Sequence, residues 1–152
     1  LVHTGVEVEL LIVGDGDLQY REYLEEIVTK NQIEPYVKFY GYADNPFPLM
    51  QNADAVLVCS KCEAFGRVTV EGMRAGKPII GTRSGGTQEL IRDGFNGLLY
   101  TAEDERELAQ KIRYICDRPD LAKQMGENGQ QWAAEQFTPA RYGKEIYLLL
   151  KQ

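Results

Sequence analysis

At 152 residues the chain has room for a single domain, large enough to bury about 68–70% of the surface of its unfolded form. Its 43% hydrophobic and 26% charged content is that of an ordinary globular chain, and its net charge of −6 argues against nucleic acid as a partner, since phosphate contacts need a basic face. No apolar run approaches the roughly 20 residues of a membrane-spanning helix, and no signal peptide is evident, so a cytoplasmic location is expected.

Residues 1–7 read as the end of a helix and a turn, with Gly5 as the stop. Val8–Val13 (VELLIV) reads as a strand running into Gly14-Asp15-Gly16. Asp17 is placed to cap a helix over about 18–31, whose inward face would be Leu18, Tyr20 or Tyr23, Leu24, Ile27 and Val28. The turn GDGDLQ begins like G-x-G-x-x-G but has Gln19 where the third glycine belongs, and a calcium loop counted from Asp15 meets Tyr20 at its glycine position. It remains a place where a phosphate or sugar could approach the backbone closely.

Tyr36–Tyr40 is the next predicted strand, followed by Gly41-Tyr42 and a short helix over Pro46–Asn52. Ala55–Cys59 (AVLVC) reads as a buried parallel strand, and Pro78–Thr82 (PIIGT) as another. Between them lie Glu63, a Phe65-Gly66 turn and a helical segment carrying Glu71 that stops at Gly76. After a Gly85-Gly86 turn, Gln88–Arg92 reads as a helical turn, 93–97 as a reversal and Leu98–Tyr100 as an edge strand. Helices over about 103–117 and 119–136 follow, and Thr138-Pro139 starts a last one reaching about Leu150. The alternation predicts an α/β fold, a Rossmann-like doubly wound parallel sheet with helices on both faces.

Cys59 and Cys62 form a C-x-x-C after a predicted strand, but a zinc site wants four ligands and only Cys116 and the lone His3 remain, both distant in sequence. Cys59 is expected in the core, as free cysteines commonly are. The single histidine leaves no Ser-His-Asp or Cys-His constellation.

The stretch Ser60–Glu89 gathers the chemistry. Ligands of doubly wound sheets bind at the carboxyl ends of the strands, where Glu63, Gly66 and Gly85-Gly86 fall. The free amides of a helix starting near Gly66 would carry the positive end of its dipole, and Arg67 offers a fork suited to phosphate oxygens. Glu71, deeper in the helix, could accept both hydroxyls of a ribose. The plainer alternatives are an exposed Arg67–Glu71 or Glu71–Arg74 pair, Glu63 serving only the helix dipole, and Glu89 capping its own loop. Spacing alone leaves both readings open.

The run SKCEAFGRVTVEGMRAGKPIIGTRSGGTQELI, with VELLIVGDGD, VKFYGYAD and NADAVLVCS before it and DGFNGLLYTAEDERELAQKI after it, resembles the donor-site motif of the group 1 (family 4) glycosyltransferases, retaining enzymes of two-domain GT-B fold. The resemblance covers nearly the whole chain, read as a single nucleotide-sugar-binding domain over residues 1–152, the C-terminal half of such an enzyme. It implies that Glu71 binds the ribose and that Glu63, the catalytic candidate, meets the transferred sugar near its anomeric carbon. It also implies that Ser60 lines the donor site, that Phe65, Gly66 and Arg67 offer amides to the sugar, and that Val68 and Thr69 lie near the diphosphate. Gly14 and Gly16 would approach the donor phosphates, with Tyr40, Gly41 and Tyr42 beside the base. No cofactor and no metal are implied; the substrate would be a nucleoside diphosphate sugar, UDP- or GDP-linked.

Cys59 stands where the family pattern has proline, Gly72 where it has alanine, and Arg67 where it more often has an aliphatic or polar residue. The resemblance further implies that a Gly-Arg…Lys-Gly segment, the acceptor-binding amino-terminal domain and a first strand, placed between the strands at 8–13 and 55–59, lie before residue 1. The flanking strands would then pair directly or leave open edges that favour self-association. Any membrane contact, peripheral at the inner face, would come through those other parts. Two further readings are a GT-B relative such as a nucleotide-sugar epimerase, which ordinarily supplies histidines and carboxylates that this segment lacks, and a dinucleotide-binding oxidoreductase domain, which the absent third glycine and the Glu63–Glu71 motif disfavour.

Overall fold

The computed structural model describes residues 1–151. Elements follow the order β1 (Leu10–Val13), α1 (Leu18–Lys30), β2 (Val37–Gly41), α2 (Phe47–Asn52), β3 (Val56–Val58), α3 (Arg67–Arg74), β4 (Ile79–Thr82), α4 (Gly85–Leu90), β5 (Gly97–Tyr100), α5 (Glu105–Cys116), α6 (Pro119–Gln136) and α7 (Pro139–Leu149). The predicted alternation of strand and helix holds, and every strand pair is parallel. The strands divide between two sheets, β1-β2 and β3-β4-β5, and not the one sheet expected. Among the described residues β1 and β3 do not pair, so direct pairing of those two strands is not observed. The chain also forms two compact units, Leu1–Pro46 and Phe47–Gln152. Among the described residues no helix is long and apolar enough to cross a membrane.

In the first unit β1 pairs with β2 from Leu10↔Val37 to Ile12↔Phe39, then slips so that Val13 faces Gly41. Tyr40 is the residue skipped, and such a bulge re-aims the side chain it carries. Asp17 caps α1 as predicted, accepting from the Gln19 and Tyr20 amides at 2.9 and 3.2 Å. The inward face expected of α1 is not buried: Leu24 and Val28 are half-buried, whereas Leu18, Tyr20, Tyr23 and Ile27 are exposed. Periodicity identifies an apolar stripe, but burial depends on what covers it. Glu9 and Lys38 join the two strands at 2.6 Å, and the Arg21 guanidinium lies 5.5 Å from the Phe39 ring centre.

The second unit holds the core. Alternating strand residues face opposite sides of β3-β4-β5. On one side Val56, Val58, Ile79 and Leu99 pack with Val70 and Met73 of α3, Leu90 of α4 and Ala133 of α6. On the other Leu57, Ile80, Leu98 and Tyr100 pack with Ile112 and Ile115 of α5 and Ala122 and Met125 of α6. Helices on both faces make this the doubly wound arrangement. β5 lies at the edge of the sheet order as expected, yet all four of its residues are buried.

Two local readings are corrected here. Cys59 is exposed, because burial ends with Val58 at the last residue of β3. Gly85 and Gly86 open α4 rather than form a free turn. The glycines answer to close packing, since a Cβ on Gly86 would lie 2.5 Å from the Phe65 carbonyl oxygen and one on Gly85 would run into the Glu63 carbonyl.

Candidate functional site

The candidate residues divide between the two units. In the first, Gly14 follows β1 and Gly41 ends β2, and the Gly14 amide donates to the Gly41 carbonyl at 2.8 Å. The strand ends therefore sit side by side, both glycines in left-handed backbone (φ 123° and 81°). Gly16 has open space where a side chain would be. Tyr40 and Tyr42 project with 54% and 68% of their surface exposed, aromatic faces available beside the two turns.

In the second unit the loop from Cys59 to Gly66 crosses the carboxyl ends of β3 and β4. Ser60 Oγ donates to Glu63 Oε1 at 2.5 Å, and the Glu63 carbonyl accepts from the Gly86 amide at 2.7 Å. Thr82 Oγ1 donates to the Ser60 carbonyl and Ser84 Oγ to the Lys61 carbonyl, each at 2.7 Å. The carboxylate of Glu63 is thus half-buried and held by a hydroxyl on its own loop.

Gly66 is the N-cap of α3, with φ 87° and ψ 50°. That left-handed conformation is readily available only to glycine. The first intrahelical bond runs from the Val70 amide to the Gly66 carbonyl at 3.3 Å, and no side chain caps the helix. The amides of Arg67, Val68 and Thr69 are consequently the orphan donors of this helix end, aligned with its positive pole. Thr69 is fully buried, its hydroxyl without a hydrogen-bond partner and packed toward Gly66. Val68 is 45% exposed. Glu71 sits one turn in, its carboxylate 3.3 Å from Arg67 Nη2, which is the plainer pair foreseen for it. Glu89 lies exposed on α4.

The surroundings show features with no local signal in the sequence. Phe65 meets Phe137 edge to face at 5.9 Å, and Phe137 meets Trp132 at 5.5 Å, tying the loop to the end of α6. Lys61 is paired with Glu103 at 2.5 Å, and that hydrogen bond raises its pKa. At the end of β5, burial pushes the Tyr100 hydroxyl well above the usual tyrosine range, with a smaller contribution in the same direction from the Cys59 thiol. Among the described residues no group of three or more His, Cys, Asp or Glu is placed to hold a metal ion.

The family model for glycosyl transferases group 1 matches residues 2–132, a span that runs through both units. The chain belongs to this family. Among curated relatives of this glycosyl transferase chain, the N-acetyl-alpha-D-glucosaminyl L-malate synthase of Bacillus anthracis is 37% identical over 134 residues, 88% of this chain and 35% of that protein. The crystal structure of Anabaena HepE in complex with UDP-glucose superposes with a TM-score of 0.88 at 33% identity, covering 95% of this chain and 41% of that one. The C-terminal domain of a group 1 glycosyl transferase of Francisella tularensis (LpcC) shares the fold, with a TM-score of 0.71 at 22% identity over 81% of this chain and 65% of that one. The GT-B relationship expected from the motif is thereby established, and the chain spans about a third of the length of the curated relative.

Proposed function

We propose that this chain is the donor-binding domain, read as one domain over both units, of a metal-independent retaining glycosyltransferase. It would take a nucleoside diphosphate sugar, UDP- or GDP-linked, and pass the sugar to a glycan, lipid or small-molecule acceptor held by another part of the protein. The observation that carries the reading is the uncapped start of α3 at Gly66, with Glu63 before it and Glu71 one turn inside it.

Each residue then has a chemical task. As the glycosidic bond to the diphosphate breaks, negative charge grows on the leaving phosphate, and the orphan amides of Arg67, Val68 and Thr69 oppose it without reorganising. Gly66, in its left-handed conformation, starts the helix with no side-chain cap competing for those amides. The Glu71 carboxylate accepts the two ribose hydroxyls, and Glu63, with Ser60 and the Phe65–Arg67 amides, meets the hydroxyls of the sugar near its anomeric carbon. In the first unit the bare turns at Gly14 and Gly16 serve the phosphates, and Tyr40, Gly41 and Tyr42 flank the base. The complex of Anabaena HepE with UDP-glucose, in a chain of closely similar fold, supports this class of donor.

Calorimetric titration of the whole protein with UDP-, GDP- and ADP-sugars beside NAD and NADP tests the reading. Binding of at least one nucleotide sugar and neither dinucleotide is expected. Binding of NAD or NADP alone would move the chain to the oxidoreductase class.

A further inference from the structure

The loop that carries Glu63 has no helix or ladder of its own between Cys59 and Gly66, and it is held from outside. The holding groups come from one segment: the Thr82 hydroxyl takes the Ser60 carbonyl, the Ser84 hydroxyl takes the Lys61 carbonyl, and the Gly86 amide takes the Glu63 carbonyl, all at 2.7 Å. Donors on alternate residues, from Thr82 at the end of β4 through Ser84 to Gly86 in the first turn of α4, thus grip the loop from Ser60 to Glu63. Ser84 is informative because it is the N-cap of α4, yet its side chain makes no cap bond. An N-cap serine ordinarily accepts from an amide of its own helix. Here the hydroxyl is turned onto the loop, within 3.1 Å of the Thr82 hydroxyl, which does the same from a side chain that is 1% exposed.

We propose that Thr82 and Ser84 are positioning residues for Glu63: they fix the backbone of Ser60 and Lys61, and the fixed Ser60 hydroxyl in turn sets the direction of the Glu63 carboxylate. The proposal rests on the reading of Glu63 as the carboxylate beside the reacting sugar. A group that must meet developing charge works only if held to within about 0.5 Å, and an eight-residue loop with no helix or strand of its own needs outside contacts for that. Two hydroxyls that reach the loop instead of serving their own strand and helix supply the restraint.

In the whole protein, Ser84→Ala and Thr82→Val should each lower kcat about tenfold while nucleoside diphosphate affinity stays within about twofold, and Thr82→Ser should keep normal turnover. Ser84→Ala placed on top of Glu63→Gln should cost little further turnover, because it acts through the group already removed. Additive losses in that double variant, normal kcat in Ser84→Ala, or a nucleotide affinity that falls in step with kcat would each overturn the proposal. If Thr82→Val does not fold, the half-buried Ser84 decides the matter alone. Normal turnover in Glu63→Gln would overturn the reading of Glu63 itself. Lost turnover there with none lost in Ser84→Ala would overturn only the positioning role.

Discussion

Arg67 Nη2 lies 3.3 Å from Glu71 Oε1, one turn along α3, with the arginine side chain 83% exposed and the glutamate 38% exposed. An exposed pair at this spacing is worth only about 0.3–0.5 kcal/mol. Two ribose hydroxyls bonding the same carboxylate offer more, since a hydrogen bond to a charged group contributes about 1.5–3 kcal/mol. The ion pair therefore holds Glu71 ready without competing seriously for it. Glu71→Ala should weaken nucleotide affinity of the whole protein roughly ten- to hundredfold by calorimetry. Unchanged affinity would leave Glu71 with only its arginine.

On the proposed function Glu63 serves turnover more than nucleotide binding, since its carboxylate lies on the loop and not on the helix end. Glu63→Gln keeps the shape and removes the charge. Its kcat should fall strongly while nucleoside diphosphate still binds, as measured by steady-state kinetics beside calorimetry. Normal turnover would reduce Glu63 to a partner of the helix dipole.

Activity should persist in EDTA. Asp15 and Asp17 are spaced like a metal-binding Asp-x-Asp, but the Asp17 carboxylate is occupied by the Gln19 and Tyr20 amides as the cap of α1. Loss of transfer on chelation, restored by manganese or magnesium, would bring those aspartates back as ligands.

Gly66→Ala should destabilise the fold as well as the site. Its φ of 87° costs an L-residue about 1–2 kcal/mol, and the new methyl would lie 3.1 Å from Leu90 Cδ1 and 3.3 Å from Thr69 Oγ1. The melting temperature by circular dichroism should drop by about 2–8 °C. An unchanged melting temperature would show that the α3 start relaxes freely around a side chain.

Much of this was legible because punctuation residues have one physical meaning. Asp17 caps α1, Pro119 opens α6, and Thr138-Pro139 opens α7, each at the predicted residue. What escaped was whatever depends on a distant partner. AVLVC reads as uniformly buried, but only the packing shows that burial stops at Val58 and leaves Cys59 exposed. The stripe of α1 was visible and its cover was not. The grip of Thr82 and Ser84 on residues 22 and 23 positions earlier has no local signature. Nor does Asn96, fully buried, whose side chain accepts from the Arg92 amide and donates to the Leu90 carbonyl to knot the turn before β5. Glu63 and Glu71 could be placed in advance, on the loop after β3 and one turn into α3, because strand end, glycine and helix start are marked locally.

The central claim is that the bare start of α3 receives the diphosphate of the donor. Amide chemical shifts recorded by NMR during titration with UDP, and in parallel with GDP, test it most directly. For the nucleotide that binds, the Arg67, Val68 and Thr69 amides should move most and saturate together. Saturation with those three signals unmoved, while others shift, would contradict the account.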